Sequence, residues 1–204
     1  MTSRFEFRLV LATMAFGLAL RFRGFIDPWL STTVAALLVI VMNWSRSRRV
    51  VQDLLGSPKR SLLFAFGFGV FLAVATHLVF NAASSWLPFL VTDVSNLYAA
   101  IETSFSRYAP APLIALVVFA EEVVWRDLVA EALPAELPGW VFFVVGVGLY
   151  AIPQLCSGSW ILLAAALILG AVFLVQKRIS GRTSIPLVTH AVWSLTVFCL
   201  FPLL

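Results

Sequence analysis

Two adjacent glutamates followed by an arginine interrupt an apolar stretch of this chain. Residues 120–127 read AEEVVWRD, and the residues from Pro112 to Ala120 are all apolar. A carboxylate placed in hydrocarbon costs about 2.5 kcal/mol or more, so charged side chains there are rare and mark functional sites. The pair, Glu121 and Glu122, is therefore the first candidate for a catalytic or binding site.

The two glutamates are expected to play different roles, because only one of them can pair with the arginine on a helix. Glu122 and Arg126 are four residues apart, so the guanidinium can bind the carboxylate one turn away. Glu121 is rotated by about 100° from that position. We predict that Glu122 is the paired, orienting acid and that Glu121 is the general base. The alternative, an ordinary ion pair at a solvated helix end, is disfavoured by the long apolar run.

Four further polar residues stand out within the apolar segments, namely His77, Gln154, His190 and Ser194. His190 and Ser194 are four apart and share one helix face. At about 1.5 Å per residue, His190 lies roughly 10 Å from the cytoplasmic end of its segment, and Glu121 and Gln154 roughly 20 Å from theirs. A shared pocket therefore requires helix tilt. His77 is either an interface residue or a base supplied by a neighbouring helix.

The composition is that of an integral membrane protein. The chain has 204 residues, of which 61% are hydrophobic and 12% charged, and its mean hydropathy is +0.99. Apolar runs of about 20 residues predict membrane-spanning helices rather than a barrel. We expect an all-α fold, a polytopic bundle of about seven transmembrane helices that forms a single integral membrane domain over residues 1–204 and contacts membrane lipids.

Seven apolar segments are expected to build this bundle. They cover residues 9–20, 29–44, 61–80, 112–133, 139–155, 160–176 and 184–204. The more polar stretch 81–110 predicts an extracytoplasmic loop with an interfacial helix.

The positive charges predict how the bundle is oriented. Residues 45–60 form a strongly basic loop, and a second basic group, Lys177, Arg178 and Arg182, follows the sixth segment. Basic loops stay in the cytoplasm, so we expect a multi-pass protein of the cell inner (plasma) membrane with both groups inside. Arg21 and Arg23 do not fit this orientation. Because no basic helix face carries interleaved aromatic residues, a nucleic acid is not expected as a partner.

From about residue 112 to 198 the chain resembles the CPBP family of intramembrane proteases, which includes CAAX prenyl endoproteases and bacterial proteins linked to bacteriocin processing and immunity. The family's EExxxR motif is met by residues 121–126. Its second motif, an aromatic or apolar residue with His four positions later, falls on residues 150–154 but ends in Gln154. Its third, His-x-x-x-Asn, falls on His190 and ends in Ser194. The resemblance does not extend to the helices over 8–80.

The resemblance implies a proteolytic site with the following assignment of roles. Glu121 activates water, Glu122 and Arg126 orient and tune it, and Gln154, His190 and Ser194 position the water and stabilise the oxyanion. Because an amide cannot accept a proton from water, His77 is the hypothetical substitute base. Glu121, Glu122 and His190 are the candidate ligands for a divalent metal such as zinc, in a set that Gln154 leaves incomplete.

Three functions are compatible with these residues. The leading one is a CPBP-type intramembrane endopeptidase, or metalloendopeptidase, that cuts the C-terminal tails of membrane-anchored or lipidated proteins. The alternative is a catalytically impaired CPBP-like protein that binds a membrane peptide or partner in an immunity or scaffold role. A small transporter or proton relay is disfavoured, because paired broken helices and an inverted repeat are missing.

Overall fold

The computed structural model describes residues 2–22, 25–101, 110–133 and 136–204. Every regular element in this part of the chain is a helix, which confirms the all-α fold class. The helices are α1 (Thr2–Arg21), α2 (Pro28–Met42), α3 (Trp44–Leu55), α4 (Lys59–Ser84), α5 (Phe89–Ile101), α6 (Ala111–Glu122), α7 (Val129–Ala132), α8 (Gly139–Leu155), α9 (Trp160–Ser180) and α10 (Ser184–Leu195). A π-helical segment, Val123–Leu128, joins α6 to α7, and a second, Thr196–Leu200, continues α10.

Each of the seven predicted segments corresponds to a helix, but a count of seven membrane spans is not confirmed. In the described residues only α4 and α9 are long and apolar enough to cross a membrane alone. The bent pair formed by α2 and α3 would make a third span. The helices α8 and Ser184–Leu200 are apolar but shorter than the roughly 20 residues that a span needs.

Helix α5 occupies the place where an interfacial helix was expected. The remainder of that predicted loop, residues 102–109, lies outside the described residues, as does Arg23.

The basic stretch 45–60, predicted to be a loop, is mostly helix α3. Its axis is bent by 93° from that of α2. The bend falls at Asn43, whose side-chain amide donates a hydrogen bond to the Val39 carbonyl, 3.0 Å away. Val50 of α3 is buried whereas Arg48 and Arg49 are exposed. Helix α3 is therefore amphipathic, with one face buried and its arginines on the other, which the count of charges alone did not indicate.

Two arginines of α3 bind two carboxylates that follow the glutamate pair. Arg46 lies 3.1 Å from Asp127 Oδ2 and 2.7 Å from Glu131 Oε2. Arg49 lies 3.4 Å from Asp127 Oδ2 and 2.8 Å from Glu131 Oε1. The network links α3 to the helical turn that directly follows the candidate site. These arginines therefore have a structural role in addition to their expected effect on membrane topology.

This network predicts a loss of stability in acid. Partial burial alone would raise the pKa of the Glu131 carboxyl, but hydrogen bonds from Arg49 and Arg46 hold it below its ordinary value of 4.5. A lowered pKa in the folded state adds stability above about pH 4.5 that is lost as the pH falls through the folded value. Because exposed ion pairs each contribute about 0–1 kcal/mol, we expect a small effect. Melting temperatures in detergent between pH 6 and 3 should fall more steeply for the native chain than for Glu131→Gln, and parallel curves would contradict the assignment.

The helix that carries His190 begins at a carboxylate of α3. The Ser184 amide donates to Asp53 Oδ2 at 2.9 Å, and Arg182 Nη1 lies 3.2 Å from Asp53 Oδ1. Farther along, α10 crosses α4 at Gly69, where an added Cβ would come within 2.8 Å of the Thr189 carbonyl oxygen. A capped start and a close crossing fix the position of α10, and with it that of His190.

Candidate active site

Four ionisable side chains meet in the interior of the bundle. Glu121 and Glu122 end α6, Arg126 lies in the π-helical segment after them, and His190 lies on α10. Their exposed fractions are 8%, 0%, 1% and 4% respectively. Four charged or ionisable groups with so little exposure are stable only if they pair with one another.

Glu122 is bound from two sides. His190 Nδ1 lies 2.9 Å from Glu122 Oε1, and Arg126 Nε lies 3.4 Å from Glu122 Oε2. The predicted ion pair between Glu122 and Arg126 is therefore present. The contact with His190 was not predicted, since it joins two residues that lie on different helices and are 68 positions apart in sequence.

The guanidinium of Arg126 is held by aromatic rings rather than by hydrogen bonds. Its three nitrogens make no hydrogen bond to a described residue. Its Cζ lies 4.3 Å from the centroid of the Tyr150 ring and 5.3 Å from that of Phe173. Phe173 also stacks on the imidazole of His190, with 4.6 Å between ring centroids. A cation desolvated between aromatic faces gains about 2 kcal/mol from each good contact, which helps to offset its burial.

The helix that carries Glu122 and Arg126 is irregular at this point, because Val123–Leu128 is π-helical. Segments of this kind are rare and frequently mark functional sites. Nothing in the AEEVVWRD sequence distinguishes it from an α-helix, so the sequence predicted an ordinary helical turn.

Glu121 has different surroundings from Glu122. The Tyr150 hydroxyl donates a hydrogen bond to Glu121 Oε2 at 3.3 Å, and His190 Nε2 lies 3.7 Å from the same oxygen. Glu121 also faces a cavity, whereas Glu122 is sealed from it. The two neighbours in sequence are thus divided into a sealed carboxylate and a cavity-facing one, as the helical rotation between them predicted.

The cavity has a volume of about 180 Å³ and is partly open. Its polar wall includes Gln154, His190 and Ser194 beside Glu121 and Tyr150. The remaining wall is mostly apolar. A cavity with this volume and several polar partners can hold ordered water. Gln154 of the second motif and His190 and Ser194 of the third motif therefore share one cavity with Glu121.

His77 is not brought into this cavity. Its Nδ1 lies 2.8 Å from the Ala73 carbonyl oxygen and its Nε2 lies 2.8 Å from the Phe201 carbonyl oxygen. The ring thereby joins α4 to the end of the chain, and it is not among the residues that line the cavity. The position of His77 within its apolar segment did not indicate on which side of α4 the imidazole lies.

The proposed metal ligands do not fit a metal site. In the part of the chain that the structure describes, no three His, Cys, Asp or Glu side chains converge on one point. The Nδ1 atom of His190 is engaged by Glu122, and Glu122 by Arg126 as well. Only His190 Nε2 and Glu121 Oε2 face each other, and two ligands are fewer than the three protein ligands of a catalytic zinc.

Two positioning residues were missed by the sequence analysis. Phe173 touches both Arg126 and His190, and Tyr150 touches both Arg126 and Glu121. Tyr150 was noted only as the first residue of a motif. Phe173 lies in an apolar run of α9 in which nothing marks one aromatic residue as special.

Gly170 of α9 makes room for the Tyr150 ring. A Cβ at this position would lie 2.6 Å from Tyr150 Cδ1, whereas a Cβ at Gly148 meets nothing within 4 Å. We expect Gly170→Ala to destabilise the protein by about 1–3 kcal/mol through overpacking and to displace the hydroxyl that binds Glu121. Gly148→Ala is the matched control and should be neutral or slightly stabilising. Thermal unfolding in detergent of both variants tests this, and equal stabilities would show that the Tyr150 ring is free to shift.

Among the comparisons with known proteins, only the one with family models gives a match. No curated protein and no solved structure gives a significant match to this chain. Residues 104–196 match the family model described as type II CAAX prenyl endopeptidase Rce1-like. That range contains the four residues of the buried cluster, together with Tyr150, Gln154 and Ser194 of the cavity wall. The match confirms the resemblance to the CPBP family and supports, at family level, an intramembrane protease of the CAAX type.

Proposed function

We propose that this protein is a multi-pass endopeptidase of the inner membrane that hydrolyses the C-terminal tails of membrane-anchored proteins with a water molecule activated by Glu121. The observation that carries the proposal is the division of the glutamate pair. Glu121 faces a cavity large enough for water and peptide atoms, while Glu122 is sealed behind it with His190 and Arg126.

The hydrogen bond to Glu122 orients His190. A carboxylate only accepts hydrogen bonds, so His190 Nδ1 must donate to Glu122 Oε1. In the neutral ring, Nε2 is then a hydrogen-bond acceptor that points toward Glu121 Oε2, 3.7 Å away. A water placed against both atoms gives one hydrogen to Nε2 and the other to the carboxylate. Its lone pairs are thereby turned to the cavity, where a peptide carbonyl would lie.

The chemical step uses groups that this chain supplies. The water oxygen bonds to the carbonyl carbon, its proton passes to Glu121, and the carbonyl oxygen becomes an oxyanion. The Gln154 amide and the Ser194 hydroxyl line the same cavity and are able to donate hydrogen bonds to that oxyanion. Glu121 then returns its proton to the leaving nitrogen as the C–N bond breaks. The products are a new carboxyl terminus and a new amino terminus, so atoms and protons balance without a metal ligand.

Gln154 has a defined role in this scheme. The Gln154 amide cannot take a proton from water. In this scheme, however, Glu121 is the base and His190 Nε2 is the second hydrogen-bond acceptor for the water. The side chain at position 154 therefore needs only to donate a hydrogen bond to the oxyanion. The amide is therefore compatible with catalysis through oxyanion stabilisation.

The test is peptide hydrolysis by the purified protein in proteoliposomes. Peptides with a single membrane anchor and varied tails are incubated with the native chain and with Glu121→Gln, and products are identified by mass spectrometry. A product that is formed by the native chain and not by the variant supports the proposal. If no tail is cut but a peptide is retained equally by both proteins, the binding or scaffold function is correct and the protease is excluded.

A further inference from the structure

Helix α3 carries a stripe of exposed apolar side chains, formed by Trp44, Val51 and Leu55. Their exposed fractions are 61%, 43% and 81%. The three positions are seven and four residues apart, so they lie on one side of the helix. Next to them around the helix, Val50 and Leu54 pack against the bundle. An exposed apolar patch of this kind marks a contact with a membrane or a protein.

Arg48 borders this apolar stripe. At about 100° per residue, Arg48 lies directly beside Trp44 and Leu55 around the helix, and Gln52 and Ser45 lie beyond it. The exposed surface of α3 therefore changes from apolar to basic to polar. This order is typical of a helix that lies in the membrane interface, with its apolar side among the acyl chains and its basic side chains at the level of the headgroups.

The bend before α3 turns this helix toward the membrane plane. The axis of α3 is bent by 93° from that of α2. Helix α2 is mostly apolar, as a membrane-crossing helix must be. With α2 crossing the membrane, a helix at a right angle to it runs along the membrane surface. The apolar stripe and the bend are independent observations, and both point to an interfacial helix.

Three exposed basic residues in or directly after α3 have no carboxylate partner in the part of the chain that the structure describes. They are Arg48 and, beyond the turn that ends α3, Lys59 and Arg60. By contrast, Arg46 and Arg49 are bound to the two carboxylates that follow the glutamate pair. The three unpaired cations give this surface a positive charge that the described part of the protein does not neutralise.

We propose that α3 is an interfacial helix that binds acidic phospholipids of the surrounding membrane. Their acyl chains cover the apolar stripe, and their phosphates bind Arg48, with Lys59 and Arg60 as further cations. An acidic phospholipid supplies both halves of this match, because it combines apolar chains with a net negative charge. A zwitterionic lipid would cover the stripe but leave the cations without a net counter-charge. This surface does not depend on the proposed protease function.

The orientation of α3 is tested with spin labels on the full chain in lipid nanodiscs. In a background in which serine replaces both native cysteines, one label at a time is attached through Trp44→Cys, Val51→Cys or Leu55→Cys. Gln52→Cys is the matched control, because it is exposed and lies on the polar side of the same helix. The depth of each label is measured from its accessibility to oxygen and to a polar nickel complex.

We expect the three labels in the stripe to lie at one depth, accessible to oxygen and shielded from the nickel complex, while the label at residue 52 is accessible to the nickel complex. If α3 instead continued a span begun by α2, the label depth would change by about 16 Å between residues 44 and 55, and the proposal would be wrong. Stripe labels that are all accessible to the nickel complex would also contradict it, and would indicate a protein partner rather than lipid as the cover.

The lipid class is tested by native mass spectrometry of the full chain, released from nanodiscs made of phosphatidylglycerol and phosphatidylcholine in equal amounts. The native chain, Arg48→Gln and Arg48→Lys are compared, and the lipids that each protein retains are counted. Arg21→Gln is the control, since it removes an exposed arginine at the end of α1.

We expect the native chain to retain phosphatidylglycerol in preference to phosphatidylcholine, and Arg48→Gln to lower this preference about fivefold, the effect of one basic residue near an anionic surface. Adding Lys59→Gln and Arg60→Gln should remove the rest of it, whereas Arg48→Lys and Arg21→Gln should keep it. An equal preference in the native chain and in Arg48→Gln would overturn the proposal. So would an Arg48→Lys variant that loses as much as Arg48→Gln, because the positive charge would then not be what binds the lipid.

Discussion

Glu121→Gln is expected to lower the rate of peptide hydrolysis by about 10²–10⁴-fold, the usual contribution of a general base, with little change in thermal stability. The amide has nearly the same shape as the carboxylate and can still accept the hydrogen bond from the Tyr150 hydroxyl. It cannot take a proton from water. Because Glu121 faces the cavity, no sealed charge loses its partner when it is neutralised. The measurements are initial rates on a cleaved tail peptide and melting temperatures in the same detergent.

Glu122→Gln provides the control for this result, since it neutralises the adjacent carboxylate. Here the sealed group loses its charge while Arg126 keeps its own, so a loss of stability should accompany any loss of rate. A Glu122→Gln variant that is stable but inactive, together with an active Glu121→Gln, would show that the two roles are reversed.

The fold class and the division of the glutamate pair could be predicted because both depend on local properties of the chain. Composition and run length are enough to identify membrane helices. Helical rotation is enough to separate Glu121 from Glu122 and to pair Glu122 with Arg126. Neither inference required knowledge of how distant helices pack.

The contacts between helices could not be predicted in the same way. Depth estimates from a straight helix placed His190 about 10 Å away from the level of Glu121, yet its imidazole binds Glu122 directly. The π-helical segment alters such estimates, and it has no signal in the sequence. Position in the sequence also left His77 as a hypothetical substitute base, although its ring is bound to the Ala73 and Phe201 carbonyl oxygens.

The amphipathic helix α3 was not predicted, although the charges of this stretch were noted. Its arginines predict a cytoplasmic location under the positive-inside rule, and this accounted for the charge of residues 45–60 without further structure. The partners of Arg46 and Arg49 are Asp127 and Glu131, which follow the glutamate pair and had no assigned role. Apolar pairs at 50–51 and 54–55 are four residues apart and share one helix face, and they were the available signal for a helix.

Arg126→Met is expected to destabilise the protein by about 3–5 kcal/mol, because it leaves Glu122 as a buried charge without its cationic partner. Methionine keeps much of the side-chain length but loses the charge and the contacts with the Tyr150 and Phe173 rings. If the cost comes mainly from the unpaired carboxylate, the double variant with Arg126→Met and Glu122→Gln should be milder than the sum of the single variants. Arg48→Met, an exposed arginine of α3, is the matched control and should change stability by no more than about 0.5 kcal/mol. Thermal and denaturant unfolding of the four variants in detergent measures the coupling. Strictly additive losses would mean that the guanidinium is held by the aromatic rings alone and that Glu122 is oriented only by His190.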